Sequence, residues 1–421
     1  MPPDPSAGRY DCHGNLGKTI PGSDRASAVG GKIACFNASD YGGRLYPEDA
    51  NTRKELMPKN IVICCDGTTN EIATDSTNVV RLYRMLVRDA RQRAYYDAGV
   101  GTMADPGAMT RCQKWVSKNL DAAIGHTLKA NFALAYRFLA RVYEPGDRIY
   151  LFGFSRGAYT VRALAGAIHF LGLLRPELED LAQLAWTIYS DEDEDLPVTH
   201  RFRGGNRFKK SFSVQPDVIV HFVGVWDTVS AFGWVSNLRT LPSTANNPSI
   251  DHIRHALAMD ERRALFNANI FRPADPAQHA SVKQVWFAGT HSDVGGGFPA
   301  EEGALSRITL QWMLREAVGQ GLLIDDANRA HLLQQIGSSQ PDAFGPLHES
   351  LVGCLYKSME CIPRRTWNGA KKKMAWSWPH RGRSRFIGPN AVVHHSVLER
   401  VNNAAIAYHP RNLPSMHTVE V

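Results

Sequence analysis

The sequence predicts an α/β protein built on a mostly parallel, doubly wound sheet with helices on both faces. Short apolar runs rich in β-branched residues alternate with longer segments of helical period. The runs are continuous rather than polar–apolar alternating, which is the pattern of strands covered on both faces. No internal repeat or coiled-coil heptad competes with this reading.

The chain has 421 residues, enough for one elaborated domain or two to three smaller ones. Its 43% hydrophobic and 21% charged residues exclude wholesale disorder. No stretch reaches the ~18 consecutive apolar residues of a membrane-spanning helix. Met1-Pro2-Pro3-Asp4-Pro5 lacks the basic and apolar regions of a signal peptide, so a protein cytoplasmic as synthesised is expected. Seven cysteines without zinc-ligand spacing read as mostly reduced thiols, with Cys12–Cys35 as one optional disulfide. The net charge of +7 favours anionic partners without choosing among them.

Residues 1–58 are rich in Gly, Pro, Asp and Ser and carry no period, so an irregular N-terminal arm is expected. From Lys59 onward a single catalytic-sized domain, 59–421, is expected. Asn60 to Cys65 reads as a buried strand closed by Asp66-Gly67, and Thr77-Asn78 as the cap of a helix through Leu86. Arg93 to Tyr96 reads as a strand and Ile124 to Tyr143 as a helix. Arg148 to Gly153 is a strand followed by a helix from Arg156 to Leu171. Val218 to Val225 is a strand, Ile250 to Asn267 a helix, Val282 to Ala288 a strand and Leu305 to Gly319 a helix. Residues 320–388 have weak period and read as an insertion before a last short strand, Pro389 to Val393.

Gly153-Phe154-Ser155-Arg156-Gly157 fits G-x-S-x-G between a strand and a helix. A serine on that sharp turn sits in strained backbone, and flanking glycines relieve the crowding. Its hydroxyl then projects over the sheet edge, where the helix N-terminus favours developing negative charge. The Arg156 N–H is the expected first oxyanion donor. A serine needs a base and an orienting acid, which in such folds follow later strands in the order Ser, acid, His. Asp227 and His291 satisfy this order. A rival set pairs Asp293 with His394 or His395. Asp66, Gly67 and Thr68 close the first strand and are candidates to complete the oxyanion hole. Asp66, Asp227 and Asp293, with His291, also form a conceivable divalent-ion site, although the serine chemistry itself needs no metal and no cofactor.

Beyond these residues, a set of six segments recurs in one order. They are Cys64-Cys65-Asp66-Gly67-Thr68, Tyr96 to Thr102, Gly153 to Tyr159, Val225-Trp226-Asp227-Thr228-Val229, Arg254 to Arg263, and His291-Ser292-Asp293-Val294-Gly295-Gly296-Gly297. The set resembles the uncharacterised α/β-hydrolase-like family that contains the catalytic domain of type VI secretion phospholipase effectors. The resemblance runs from about 59 to 414. It implies an α/β-hydrolase-like fold and ester hydrolysis at a Ser-Asp-His triad, carried over to Ser155, Asp227 and His291. It also implies an acyl ester or phospholipid substrate and export by a type VI secretion system. Thr69 departs from the Gly or Trp that relatives often carry in the first loop. A long C-terminal extension of the kind used for membrane placement in some effectors is not expected.

Positive charge gathers in two places. One holds Arg201, Arg203, Arg207, Lys209 and Lys210, and the other, within 364–385, interleaves Arg and Lys with Trp367, Trp376 and Trp378. Trp with cations suits a peripheral contact with a bilayer interface; single-stranded nucleic acid is the weaker fit. Asp260 to Arg263 read as an ion-pair network or solvated face of a helix. Two other functions fit parts of the pattern: a non-catalytic binding protein on a hydrolase scaffold, and a metal-dependent phosphoesterase. The oligomeric state is not encoded in any of these features.

Overall fold

The structure is a computed structural model. It describes residues 57–67, 77–99, 113–190, 198–229, 233–234, 237–238, 241–272, 281–335, 341–352, 357, 360–361, 364–368, 373–378 and 380–421. The expected arm up to residue 56, the Cys12–Cys35 bridge and Thr68 lie outside these residues.

Strand β1 (Asn60–Cys65) is buried at every position. Ile61, Ile63 and Cys65 enter one hydrophobic core, and Val62 and Cys64 enter another on the opposite face. Each face needs its own apolar cover, which is why the run is unbroken. Cys64 and Cys65 are both free thiols. Helix α1 (Asn78–Met85) starts where Thr77 accepts the Val80 N–H at 3.3 Å. Then follow β2 (Gln92–Asp97), α2 (Gln113–Val142), β3 (Arg148–Phe154) and α3 (Arg156–Leu171). Helices α4 (Ala182–Ser190) and α5 (Val198–Phe212) precede β4 (Val220–Trp226) and a short hairpin, β5 (Gly233–Trp234) with β6 (Asn237–Leu238). The chain continues through β7 (Ile250–Ala258), β8 (Ser281–Phe287), α6 (His291–Gly295), α7 (Ala304–Val318) and α8 (Asp326–Gln335). A second hairpin, β9 (Arg364–Asn368) with β10 (Lys373–Ser377), leads to β11 (Ala391–His394), the helix α9 (His395–Asn402) and β12 (His417–Glu420).

The main sheet has eight strands in the order β12-β11-β8-β7-β4-β3-β1-β2, and every pairing in it is parallel. Helices α2, α3 and α4 cover one face, and α1 and α7 the other. The protein is therefore an α/β fold with a doubly wound sheet. The chain leaves β1 for β2 at one edge and returns to lay β3 on the other side of β1. That reversal makes the carboxyl ends of β1 and β3 the switch point, where open α/β sheets bind ligands.

Two expected elements are corrected. The segment from Ile250 is a strand, not a helix, and it lies between β4 and β8. Its apolar residues at 250, 253, 256 and 257 mimic a helical stripe. The polar residues between them are accommodated inside the sheet layers instead. The Thr228 N–H bonds His255 Nε2 at 3.2 Å, and Arg254 pairs with Glu316 of α7. Asp260 to Arg263 accordingly lie on the loop after a strand. The strand after the 320–388 segment is also not the last, because β12 extends the sheet beyond it.

Glu316 ties helix α7 to the main sheet. It receives Arg254 of β7 and, at 3.0 Å, Lys283 of β8, which also reaches Glu420 of β12 at 3.0 Å. Arg254 is almost fully buried, so losing its partner leaves a charge without compensation. Glu316→Ala should lower stability by about 3 kcal/mol, read as the shift of a urea unfolding midpoint at constant slope. A loss below about 0.5 kcal/mol would class the network with exposed pairs.

Candidate active site

The turn from β3 into α3 carries Ser155 at φ 58° and ψ −121°, a conformation that non-glycine residues adopt only at a cost. Its N–H is held by the Trp226 carbonyl at 3.1 Å, so the end of β4 fixes the turn. The serine side chain does not cap α3. Gly157 permits the turn to press on β1: a Cβ there would lie 2.1 Å from the Cys65 carbonyl oxygen. Arg156 heads α3 at the positive end of the helix dipole.

Asp227 follows β4 directly and is the second strained residue, at φ 39°. Its N–H bonds the Ala256 carbonyl at 2.8 Å, and its side chain is fully buried. Oδ1 accepts the Ala258 N–H at 3.0 Å and Arg385 Nη1 at 2.6 Å. Oδ2 accepts Arg385 Nη2 at 3.0 Å and His291 Nδ1 at 2.6 Å. Burial alone pushes this carboxyl upward. The Arg385 charge and the hydrogen bonds from His291 and Arg385 outweigh it and hold Asp227 well below the usual carboxylate range.

His291 is the first residue of α6, after β8. Asp293 sets up that helix by accepting both the N–H and the hydroxyl of Thr290 at 2.9 Å. Glu261 accepts the His291 N–H at 3.2 Å. The imidazole lies between the rings of Phe154 and Phe266, with centroids 4.6 and 4.9 Å away. Gly295 leaves room for this, since a Cβ there would sit 1.9 Å from the Phe154 ring. Burial pushes the His291 pKa down, and Asp227 and Glu261 recover only part of the shift, so the ring is neutral at pH 7. An ionised carboxylate only accepts, so Nδ1 carries the proton. Nε2 is buried and has no hydrogen-bond partner among the described residues.

Ser155 directly follows Phe154, whose ring faces the imidazole. No hydrogen bond joins Ser155 to His291, and Nε2 is left open at this edge of the sheet. The local chemistry is an anionic carboxylate, a neutral imidazole with an open lone pair, a strained serine and a helix N-terminus.

The rival set does not assemble. Asp293 binds His348 Nδ1 at 2.6 Å, and His348 Nε2 reaches Glu302 at 3.0 Å. His394 caps its own helix α9 through Ser396 and stacks on Phe287, and burial pushes its pKa down to about 3. His395 faces Glu399 at 3.9 Å. Asp66 also has a local role. Its carboxylate takes the Gly67 N–H at 2.7 Å, the Tyr96 hydroxyl at 3.1 Å and the Thr77 hydroxyl. The Gly67 N–H is thus bonded within its own turn, which weakens its candidacy as an oxyanion donor. Asp66, Asp227 and Asp293 serve three separate networks, and no three His, Cys, Asp or Glu residues converge on an ion site among the described residues.

Two contributors were not visible in the sequence as site residues. Arg385 counted there as one of many surface cations in 364–385, yet it is buried and bidentate on Asp227, 158 residues away in the chain. Glu261 is in an ion pair as expected, with Arg263 at 2.8 Å, but its second job is to hold the His291 backbone.

The uncharacterized protein YEL023C of Saccharomyces cerevisiae is 36% identical over 227 residues, which are 51% of this chain and 33% of that protein. The chain therefore spans about a third of the length of that curated relative. The crystal structure of an uncharacterized protein from Pseudomonas aeruginosa aligns with TM-score 0.38 and 20% identity, over 65% of this chain and 48% of that one. Residues 59–316 match the family described as T6SS, phospholipase effector Tle1-like, catalytic domain. That match covers more than half of the chain and includes Ser155, Asp227 and His291, and the protein belongs to this phospholipase effector catalytic-domain family.

Proposed function

We propose that the protein is a phospholipase that cleaves carboxylic esters of lipids through an acyl-enzyme, with Ser155 as nucleophile, His291 as base and Asp227 as orienting anion. The observation that carries this reading is the buried 2.6 Å Asp227–His291 contact beside the strained Ser155 turn. Family membership supplies the substrate class. Export by a type VI secretion system belongs to the same proposal and rests on membership alone.

The chemistry follows from the charges. His291 Nε2 takes the Ser155 proton as Oγ bonds to the acyl carbon. The carbonyl electrons move onto oxygen, where the Arg156 N–H and the α3 dipole stabilise them. Asp227 holds the proton on Nδ1 and stabilises the imidazolium. Collapse breaks the ester C–O bond, and the leaving alkoxide takes the proton from Nε2. Water then gives a proton to Nε2 while its oxygen attacks the acyl carbon. The fatty acid leaves, and the returned proton restores Ser155.

Access to lipid is proposed to come from the hairpin β9–β10 and the segment after it. Trp376, Trp378 and Phe386 are 66%, 65% and 86% exposed. Arg381 and Arg383 are exposed between them. Exposed aromatic rings among cations match the depth and charge of an anionic phospholipid surface.

Two outcomes test this reading. Ser155→Ala should abolish hydrolysis of a short-chain acyl ester, by at least about 10³-fold in kcat/KM, while far-UV circular dichroism is unchanged. Turnover within a few fold of the parent would remove Ser155 from the chemistry. Separately, the double variant Trp376→Ala/Trp378→Ala should bind anionic phosphatidylglycerol vesicles about tenfold or more weakly, with hydrolysis of the soluble ester intact. Equal binding would contradict docking through this hairpin.

A further inference from the structure

Arg385 has no place in a three-residue reading, yet it makes the densest set of contacts to Asp227. Its two terminal nitrogens span both carboxylate oxygens, at 2.6 and 3.0 Å. Nη1 also donates to the Ala258 carbonyl at 2.8 Å, and Nη2 to the Phe266 carbonyl. The guanidinium thus ties the end of β7 and the Phe266 loop, whose ring packs on His291, to the carboxylate. The segment that delivers it is itself anchored. Gly382 donates its N–H to Glu360 at 2.9 Å and accepts from Arg262 Nε at 2.9 Å. Asn412 donates to the Arg385 carbonyl at 3.1 Å, and Ile387 is buried in the core around Val393 and Tyr408.

We propose that Arg385 is a positioning residue for the reaction: its fork holds Asp227 in the orientation that receives His291 and cancels part of the carboxylate charge. This rests on the reading of Ser155, Asp227 and His291 given above. The physical logic is a balance. A bare buried carboxylate beside an imidazole favours the imidazolium, which cannot accept the serine proton. A cation on the far side of the carboxylate opposes that protonation without removing the Nδ1 hydrogen bond. Arginine suits the task because its planar fork bonds both oxygens at once and it stays charged.

Among the other groups around the pair, Arg263, on the loop after β7, also pushes the His291 pKa down, but its ion-pair partner Glu261 acts in the opposite sense and more strongly. His255 of β7 is kept neutral by burial, its pKa pushed down to about 3. Asp293 of α6 is turned toward Thr290 and His348. Arg385 is the cation in contact with Asp227.

The test is the pH profile of kcat/KM on a soluble short-chain ester for the parent, Arg385→Gln, Arg385→Lys and Asp227→Asn. The parent's acid limb should lie below the ordinary imidazole value of about 6.5, because protonation of His291 on falling pH removes the base. Arg385→Gln should move that limb upward by about one pH unit and lower kcat. Arg385→Lys keeps the charge but not the fork, so the limb should stay near the parent's while kcat falls severalfold. An unmoved limb in Arg385→Gln overturns the charge role. Should that variant not fold, a parental kcat in Arg385→Lys overturns the positioning role. Asp227→Asn separates the two readings: a loss of about 10⁴-fold there, with Arg385→Gln behaving as the parent, sinks only the Arg385 proposal. Parental activity of Asp227→Asn sinks the triad reading beneath it.

Discussion

The site depends on one buried negative charge. A carboxylate removed from water is costly unless it is paired and fully hydrogen-bonded. Asp227 meets that condition with four donated bonds from three different parts of the chain: Ala258 on β7, His291 on α6 and the Arg385 guanidinium from the segment before β11. Each donor is placed by something else. Ala258 is fixed by sheet register with Phe287 of β8, His291 by the Thr290–Asp293 cap and by Glu261, and Arg385 by Glu360, Arg262 and Asn412 through its neighbours. A change at any of these anchors is therefore felt at the carboxylate.

Strain is stored next to this charge. Ser155 and Asp227 both adopt positive φ without being glycine, and they sit at the ends of neighbouring strands. Such conformations persist only where surrounding bonds over-determine them. Here the Ser155 N–H bonds the residue before Asp227, and the Asp227 N–H bonds Ala256 on the next strand. Each turn is thus braced by the next strand across the sheet, the Ser155 turn by β4 and the Asp227 turn by β7.

How much of this was legible in the sequence depended on whether the signal was local. The strand–turn–helix around Ser155 reads directly, since the glycines, the apolar run and the helical stripe all fall within about 20 consecutive residues. Asp227 and His291 read as candidates because each ends an apolar run. The segment from Ile250 misread as helix because a central strand shows no alternation, and its Arg254 and His255 look like a polar helix face until Glu316 and Thr228 come to meet them. Arg385 was illegible. It sits among other cations, and only the fold folds this one inward while Arg383 and Phe386 on either side stay in solvent.

The proposed chemistry makes Ser155 reactive only if an unprotonated His291 Nε2 takes its proton. Reaction of the folded protein with a fluorophosphonate, followed by peptide mapping, addresses that directly. The account expects a single adduct on Ser155 in the parent and its loss in His291→Ala. A folded parent left unlabelled at Ser155, or labelled equally well without His291, would contradict it.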